Sequence, residues 1–252
     1  MKQTRLMMGM PIIVEVVDAS VVTEAFDRVF AYFTDVDARF STYKPTSEIS
    51  QINRGEVSLE AASSDMQLIF ALAEQTRQET NGFFDIRHHG SIDPSGIVKG
   101  WAIYNAAELL LAQGYENFYV DAGGDVQVMG KNAQGENWRL GIGNPFNLQE
   151  IVKTLSVTNC GIATSGTYVR GDHIYNPLDA DDPLDEIVSL TVIGADVYEA
   201  DRFATAAFAM GREGILFIEQ LAGFEGYMID RHGQVTLTSN FTHYVAVPAG
   251  VR

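Results

Sequence analysis

Apolar residues recur along this chain with more than one period, and the switches between periods mark its elements. Pro11 to Val17 reads as a strand. Val22, Ala25, Phe26, Val29, Phe30, Phe33 and Val36 then fall at helical spacing and predict an amphipathic helix. A polar stretch containing Ser, Thr and Pro, Ser41 to Asn53, is expected to be a loop free to bind. A second helix is expected from about Ser64, its N-cap, to Thr80, stopped by Asn81-Gly82, and a third over Ile97 to Gln113, ended by Gly114.

Short strands dominate further on. Phe118 to Val120 leads through Asp121-Ala122-Gly123-Gly124-Asp125 into Val126 to Met129. Trp138 to Ile142, Val152 to Val157 and Val188 to Ile193 read as strands, and Glu199 to Met210 and Glu213 to Leu221 as helices. Glu225 to Asp230 and Val235 to Thr238 read as a closing hairpin around His232-Gly233. Helices and strands alternate irregularly and some strands pair as hairpins. The expectation is therefore an α+β fold with mixed, largely antiparallel sheets and packed helices, in one domain over residues 1–252.

Composition narrows the function. The 252 residues are 46% apolar and carry a formal charge of −16, so the chain can bury a sizeable core and does not suit nucleic acid. An anionic substrate would need a metal, local Lys or Arg, or backbone N–H groups as counter-charge. Its one cysteine, Cys160, excludes an internal disulfide and reads as a small buried residue. Neither a targeting signal nor an apolar run of membrane-spanning length is visible, which suggests a soluble, cytoplasmic protein; a leader removed ahead of Met1 stays open.

Four segments offer chemistry. Asp93-Pro94-Ser95-Gly96-Ile97-Val98-Lys99-Gly100 places a carboxylate, a flexible glycine and a cation at a helix start, where free N–H groups favour phosphate; the plainer alternative is a turn with a solvated lysine. Asp201 and Thr205 stand one helical turn apart and offer hard oxygen ligands suited to Mg²⁺, or else a cap and a core filler. Thr164-Ser165-Gly166-Thr167-Tyr168, read as a loop, precedes His173, the best general-base candidate. The Asp121 to Asp125 turn is as consistent with a tight turn as with a nucleotide contact. His88 and His89 lie near Asp85 but lack a third metal ligand at a familiar spacing.

In this order and at these separations, the segments resemble the FAD:protein FMN transferase family, the ApbE-type flavin transferases. Met8-Gly9, Phe40-Ser41-Thr42-Tyr43, Ser47-Glu48-Ile49-Ser50 with Asn53, and Gly82-Phe83-Phe84-Asp85 extend the match over nearly the whole chain. The resemblance implies a T-fold-related architecture with the active site in a cleft between two lobes. It also implies that FAD is cleaved with Mg²⁺, that FMN passes to a Thr or Ser hydroxyl of a target flavoprotein, and that AMP leaves. In this reading Tyr43 stacks on a ring of FAD, Met8, Phe83, Phe84 and Asp85 line the cleft, and Asp93, Lys99 and Ile174 contact FAD. The Gly96 carbonyl, Asp201 and Thr205 hold the metal, and His173 deprotonates the acceptor.

Departures from the family pattern are Met10-Pro11 after Met8-Gly9, Tyr104-Asn105 after Gly100, Asp172 before His173, and Asn176 where an Asp commonly precedes Pro177. Asn176 weakens any expectation that a carboxylate orients His173. A Mg²⁺-dependent FAD pyrophosphatase, with water as nucleophile, and a non-catalytic FAD-binding protein are the alternative readings.

Overall fold

The computed structural model describes residues 1–166, 174–179 and 181–247. His173, the expected base, and Thr167, Tyr168 and Asp172 lie outside the described residues. In chain order the elements begin with β1 (Lys2–Met7), β2 (Met10–Val16), α1 (Thr23–Phe40), α2 (Glu48–Asn53) and α3 (Ser64–Glu79). Next come β3 (Arg87–His88), β4 (Ser91–Ile92), α4 (Ser95–Leu111), β5 (Phe118–Ala122) and β6 (Asp125–Met129). β7 (Trp138–Asn144), β8 (Asn147–Val157), β9 (Cys160–Gly166) and β10 (Ile187–Gly194) follow, then α5 (Val197–Ala209), α6 (Gly214–Gln220), β11 (Glu225–Asp230) and β12 (Val235–Leu237).

Eight strands form the central sheet in the order β1-β2-β5-β6-β9-β10-β11-β12. Every pairing among these described strands is antiparallel, so the expected α+β architecture is present and its main sheet is antiparallel throughout. The period-two alternation of its strands divides two faces. Ile12, Val14 and Val16 of β2, with Phe118, Val120 and Ala122 of β5, point toward α1, α3 and α4. Ala163, Leu190, Val192 and Met228 point toward α5 and α6. On the opposite face Tyr119, Val128, Ile162, Ile193 and Tyr227 meet the β7–β8 hairpin through Trp138, Ile142, Leu155 and Val157. Helices thus cover one face and a two-stranded arm covers the other.

α1 buries Phe26, Val29, Phe30, Phe33 and Val36, the stripe its periodicity predicts. α4 is different. It buries Ile97, Val98, Trp101, Ala102, Ile103, Ala106, Ala107 and Leu110, residues on nearly all sides, because it lies between α1, α5 and the sheet.

Several expectations need correction. β1 precedes the first expected strand: it is an edge strand, largely exposed, and shows no alternation to read. The supposed loop Ser41 to Asn53 contains α2, whose N-cap Ser47 accepts a hydrogen bond from Ser50 N at 3.2 Å; six residues are too few to display a period. The N-cap of α3 is Ser63. Thr164, Ser165 and Gly166 lie in β9, not in a loop; this strand is small-residued because α5 packs on it, which removes the usual β-branched signature. Met8-Gly9 forms the β1–β2 turn, with Met8 at φ 52°, rather than preceding the first strand. Cys160 is buried. Among the described residues no helix is long and apolar enough to cross a membrane.

Candidate active site

The site is assembled where α4 begins against α5. Two pairs of residues, each one turn apart, meet face to face: Gly96 lies against Thr205, and Gly100 against Asp201. A Cβ on Gly100 would stand 2.6 Å from Asp201 Cβ and 2.8 Å from the Val197 carbonyl oxygen. A Cβ on Gly96 would stand 3.2 Å from Thr205 Cγ2 and 3.3 Å from a ring carbon of Phe84. The helices therefore approach as closely as glycine allows, which brings the α4 backbone to the two oxygen-bearing side chains of α5.

Asp201 is 2% exposed and belongs to a buried ionic group. Its Oδ2 accepts a hydrogen bond from Gly100 N at 2.7 Å, and its Oδ1 lies 3.5 Å from Lys99 Nζ. Lys99 Nζ is also 2.5 Å from Oδ2 of Asp125, a residue 1% exposed whose Oδ1 accepts a hydrogen bond from Thr164 N at 2.9 Å. Burial pushes the Asp201 carboxyl well above the usual carboxylate range; the Lys99 ammonium opposes this and the neighbouring Asp125 adds to it. Two carboxylates held by one ammonium make a locally acidic, dehydrated corner, the kind of place where a further cation is favoured.

Three adjoining cavities open around this corner. The main one, about 350 Å³, is bounded by Gly96, Lys99, Asp125, Asp201, Thr205 and the hairpin residue Leu148. A small cleft of about 40 Å³ is bounded by Phe83, Phe84, Asp85, Asp93 and Ile174, and shares Gly96 and Thr205 with the first. A third, about 330 Å³ and mostly apolar, is bounded by Met8, Phe40, Tyr43, Asp93 and Lys99. Every expected site residue that is described thus lines one of three contiguous spaces around the α4 N-terminus. Tyr43 is 95% exposed at the mouth of the third, a large ring with no neighbour over it. Asp93 Oδ1 accepts from Ser95 N at 2.9 Å, so the carboxylate sits at the helix start.

Asp125 belonged to a segment that also fitted a simple turn, and its ionic contact with Lys99 makes it part of the site. Gly100, which the sequence marks only as part of a glycine- and lysine-containing motif, packs directly on Asp201. The only signal for it was the spacing Gly96-x-x-x-Gly100 opposite Asp201-x-x-x-Thr205, which acquires meaning once the two helices are known to cross. Asn176 is engaged within its own turn: its Nδ2 donates to Asp182 Oδ2 at 2.8 Å, and its Oδ1 accepts from Leu178 N at 3.0 Å. No group of three or more His, Cys, Asp or Glu side chains placed to hold a metal occurs among the described residues.

Comparison with known proteins adds an independent observation. A family model described as the ApbE family matches residues 8–90 and 86–228. The chain is 35% identical over 134 residues to a FAD:protein FMN transferase of Vibrio cholerae serotype O1, covering 48% of this chain and 39% of that protein. It is 28% identical over 151 residues to a FAD:protein FMN transferase of Escherichia coli K12, covering 56% and 43% respectively. The chain thus spans about two fifths of the length of these relatives. Among solved structures, the flavin transferase ApbE from Vibrio cholerae superposes with a TM-score of 0.85 over 97% of this chain and 98% of that one, at 22% identity. An ApbE protein from Thermotoga maritima superposes with a TM-score of 0.86 over 98% and 99%, at 21% identity. At such identities the likeness is one of fold.

Proposed function

The chain belongs to the ApbE family, and from that premise we propose that it is a Mg²⁺-dependent FAD:protein FMN transferase acting on a Thr or Ser hydroxyl of a target flavoprotein. The observation that carries this reading is the meeting of Gly96 and Gly100 with Thr205 and Asp201, beside Lys99 and under a helix N-terminus.

The donor set suits Mg²⁺. A hard cation of this size takes one or two carboxylates and completes its shell with neutral oxygens, waters and substrate phosphates. Asp201 supplies a buried carboxylate, Thr205 a hydroxyl, and Gly96 a carbonyl whose surroundings a Cβ would crowd. Gly100 N–H, which in a regular helix faces the Gly96 carbonyl, donates to Asp201 Oδ2 at 2.7 Å and so leaves that carbonyl oxygen less firmly held. When bound, Mg²⁺ neutralises pyrophosphate charge, allowing an acidic protein to hold FAD.

The protein's own groups are assigned as follows. The Gly96 N–H at the start of α4 and the Lys99 ammonium would grip the pyrophosphate. Tyr43 and Met8 receive one ring system of FAD, and Phe83, Phe84, Asp85, Asp93 and Ile174 form the wall beside the phosphates. His173 takes the proton of the acceptor hydroxyl as its oxygen bonds to the phosphorus on the riboflavin side. The bridging P–O bond breaks, and AMP departs with the electron pair. Purified protein with FAD and MgCl₂ should release AMP in the presence of a flavoprotein acceptor and stop when EDTA is added; AMP release that ignores EDTA would overturn the metal assignment.

A further inference from the structure

The β3–β4 hairpin is too short to hold itself. It has two residue pairs, Arg87↔Ile92 and His88↔Ser91, and a turn through His89 and Gly90, both at positive φ. Two external fixings secure it. At one end Asn53, the last residue of α2, brackets Ile92: its Nδ2 donates to the Ile92 carbonyl at 2.9 Å, and its Oδ1 accepts from Ile92 N at 2.8 Å. At the other end the His88 imidazole lies flat on the Tyr175 ring, with centroids 3.7 Å apart and planes 18° from parallel. The Tyr175 hydroxyl in turn donates to the Asp85 carbonyl. His89 adds a third ring, 3.8 Å from His88.

These contacts lead to the chemistry. Ile174, the residue before Tyr175, lines both the main cavity and the small cleft, and Tyr175 and Asp85 line the cleft beside it. Tyr175 also stands two positions from His173 along the chain. His88 lines none of the three cavities described above, and its stacked ring contact toward them is Tyr175.

We propose that His88 is a positioning residue: its stack on Tyr175 clamps the Asp85–Ile174–Tyr175 wall to the β3–β4 hairpin and, through Asn53, to α2. The inference rests on the transferase reading. A parallel ring pair shifts a local equilibrium by about 3- to 10-fold. Phosphoryl transfer depends on alignment, so loss of the clamp is felt in the rate. Neither a metal site nor an inert surface turn requires that flat contact.

The test is a double-mutant cycle read as kcat/KM for FAD-dependent AMP release with Mg²⁺ and a flavoprotein acceptor, alongside Tm. His88→Ala and Tyr175→Leu should each lower kcat/KM about 3- to 10-fold with Tm nearly unchanged, and the double variant should be no slower than either single one. His88→Phe, which restores a flat ring, should recover the wild-type rate to within about 2-fold. Wild-type turnover in His88→Ala, a fully multiplicative double variant, or failure of His88→Phe to rescue would overturn the clamp. Wild-type protein that releases no AMP from FAD would instead remove the transferase reading on which the clamp rests.

Discussion

Replacing Gly100 by Ala probes the contact on which the site is built. The added methyl would stand 2.6 Å from Asp201 Cβ, 2.8 Å from the Val197 carbonyl oxygen and 3.0 Å from Asp201 Oδ2, so α4 and α5 must separate. Overpacking of a tight interface costs about 1–3 kcal/mol. Separation also weakens the Gly100 N–H to Asp201 bond of 2.7 Å, a buried hydrogen bond to a carboxylate worth about 1.5–3 kcal/mol. Alanine returns about 1 kcal/mol of helix propensity. The net loss is about 3 kcal/mol, which in a chain of this size lowers Tm by roughly 6–12 °C. Gly96→Ala supplies the control. Its methyl meets movable side-chain atoms at 3.2 and 3.3 Å, so propensity and crowding nearly cancel and Tm should stay within about 3 °C of the wild type. Thermal unfolding followed by circular dichroism, without added metal, measures both. A Gly100→Ala protein that melts with the wild type, or a Gly96→Ala protein that melts below it, would refute the packing argument.

Three further outcomes are expected. Asp201→Ala should cut Mg²⁺-dependent AMP release at least about 10²-fold while the protein stays folded, and near-normal release would remove Asp201 from the metal site. His173→Ala should slow transfer by about 10²–10⁴, measured as product formed under saturating FAD; an unchanged rate would leave it no role as base. Burial pushes the Asp121 carboxyl up from 3.8 to about 6, so it favours the folded state while protonated; its contribution is complete below about pH 4 and is lost as pH rises through 6. Asp121→Asn should therefore gain in Tm relative to the wild type between pH 4 and 6, and parallel Tm-against-pH curves would contradict the shift.

Long periodic elements were legible in the residue pattern for a plain reason. α1 repeats its buried stripe over 18 residues, and β2 and β5 are strongly apolar strands. β1 is exposed on both faces, α2 is shorter than two turns, and β9 is built of small residues, so none shows the signal that burial ordinarily imprints. The site follows the same logic. Asp201 and Thr205 share a helix face and could be paired by spacing alone. Their contact with Gly100 and Gly96 joins residues about a hundred positions apart and depends on how α4 and α5 cross. Asp125 resembled a turn because Gly123 and Gly124 precede it; only the fold brings Lys99 Nζ to 2.5 Å from its carboxylate. The family resemblance spanned these gaps, whereas local periodicity could not.

The central claim is tested most directly by mass spectrometry of a flavoprotein acceptor incubated with this protein, FAD and Mg²⁺, with AMP measured in the same reaction. One FMN joined through a phosphoester to a Thr or Ser of the acceptor is expected for each AMP released, with both products cut at least about 10²-fold by Asp201→Ala. Stoichiometric free FMN and AMP with an unmodified acceptor would make the protein a pyrophosphatase and contradict the account.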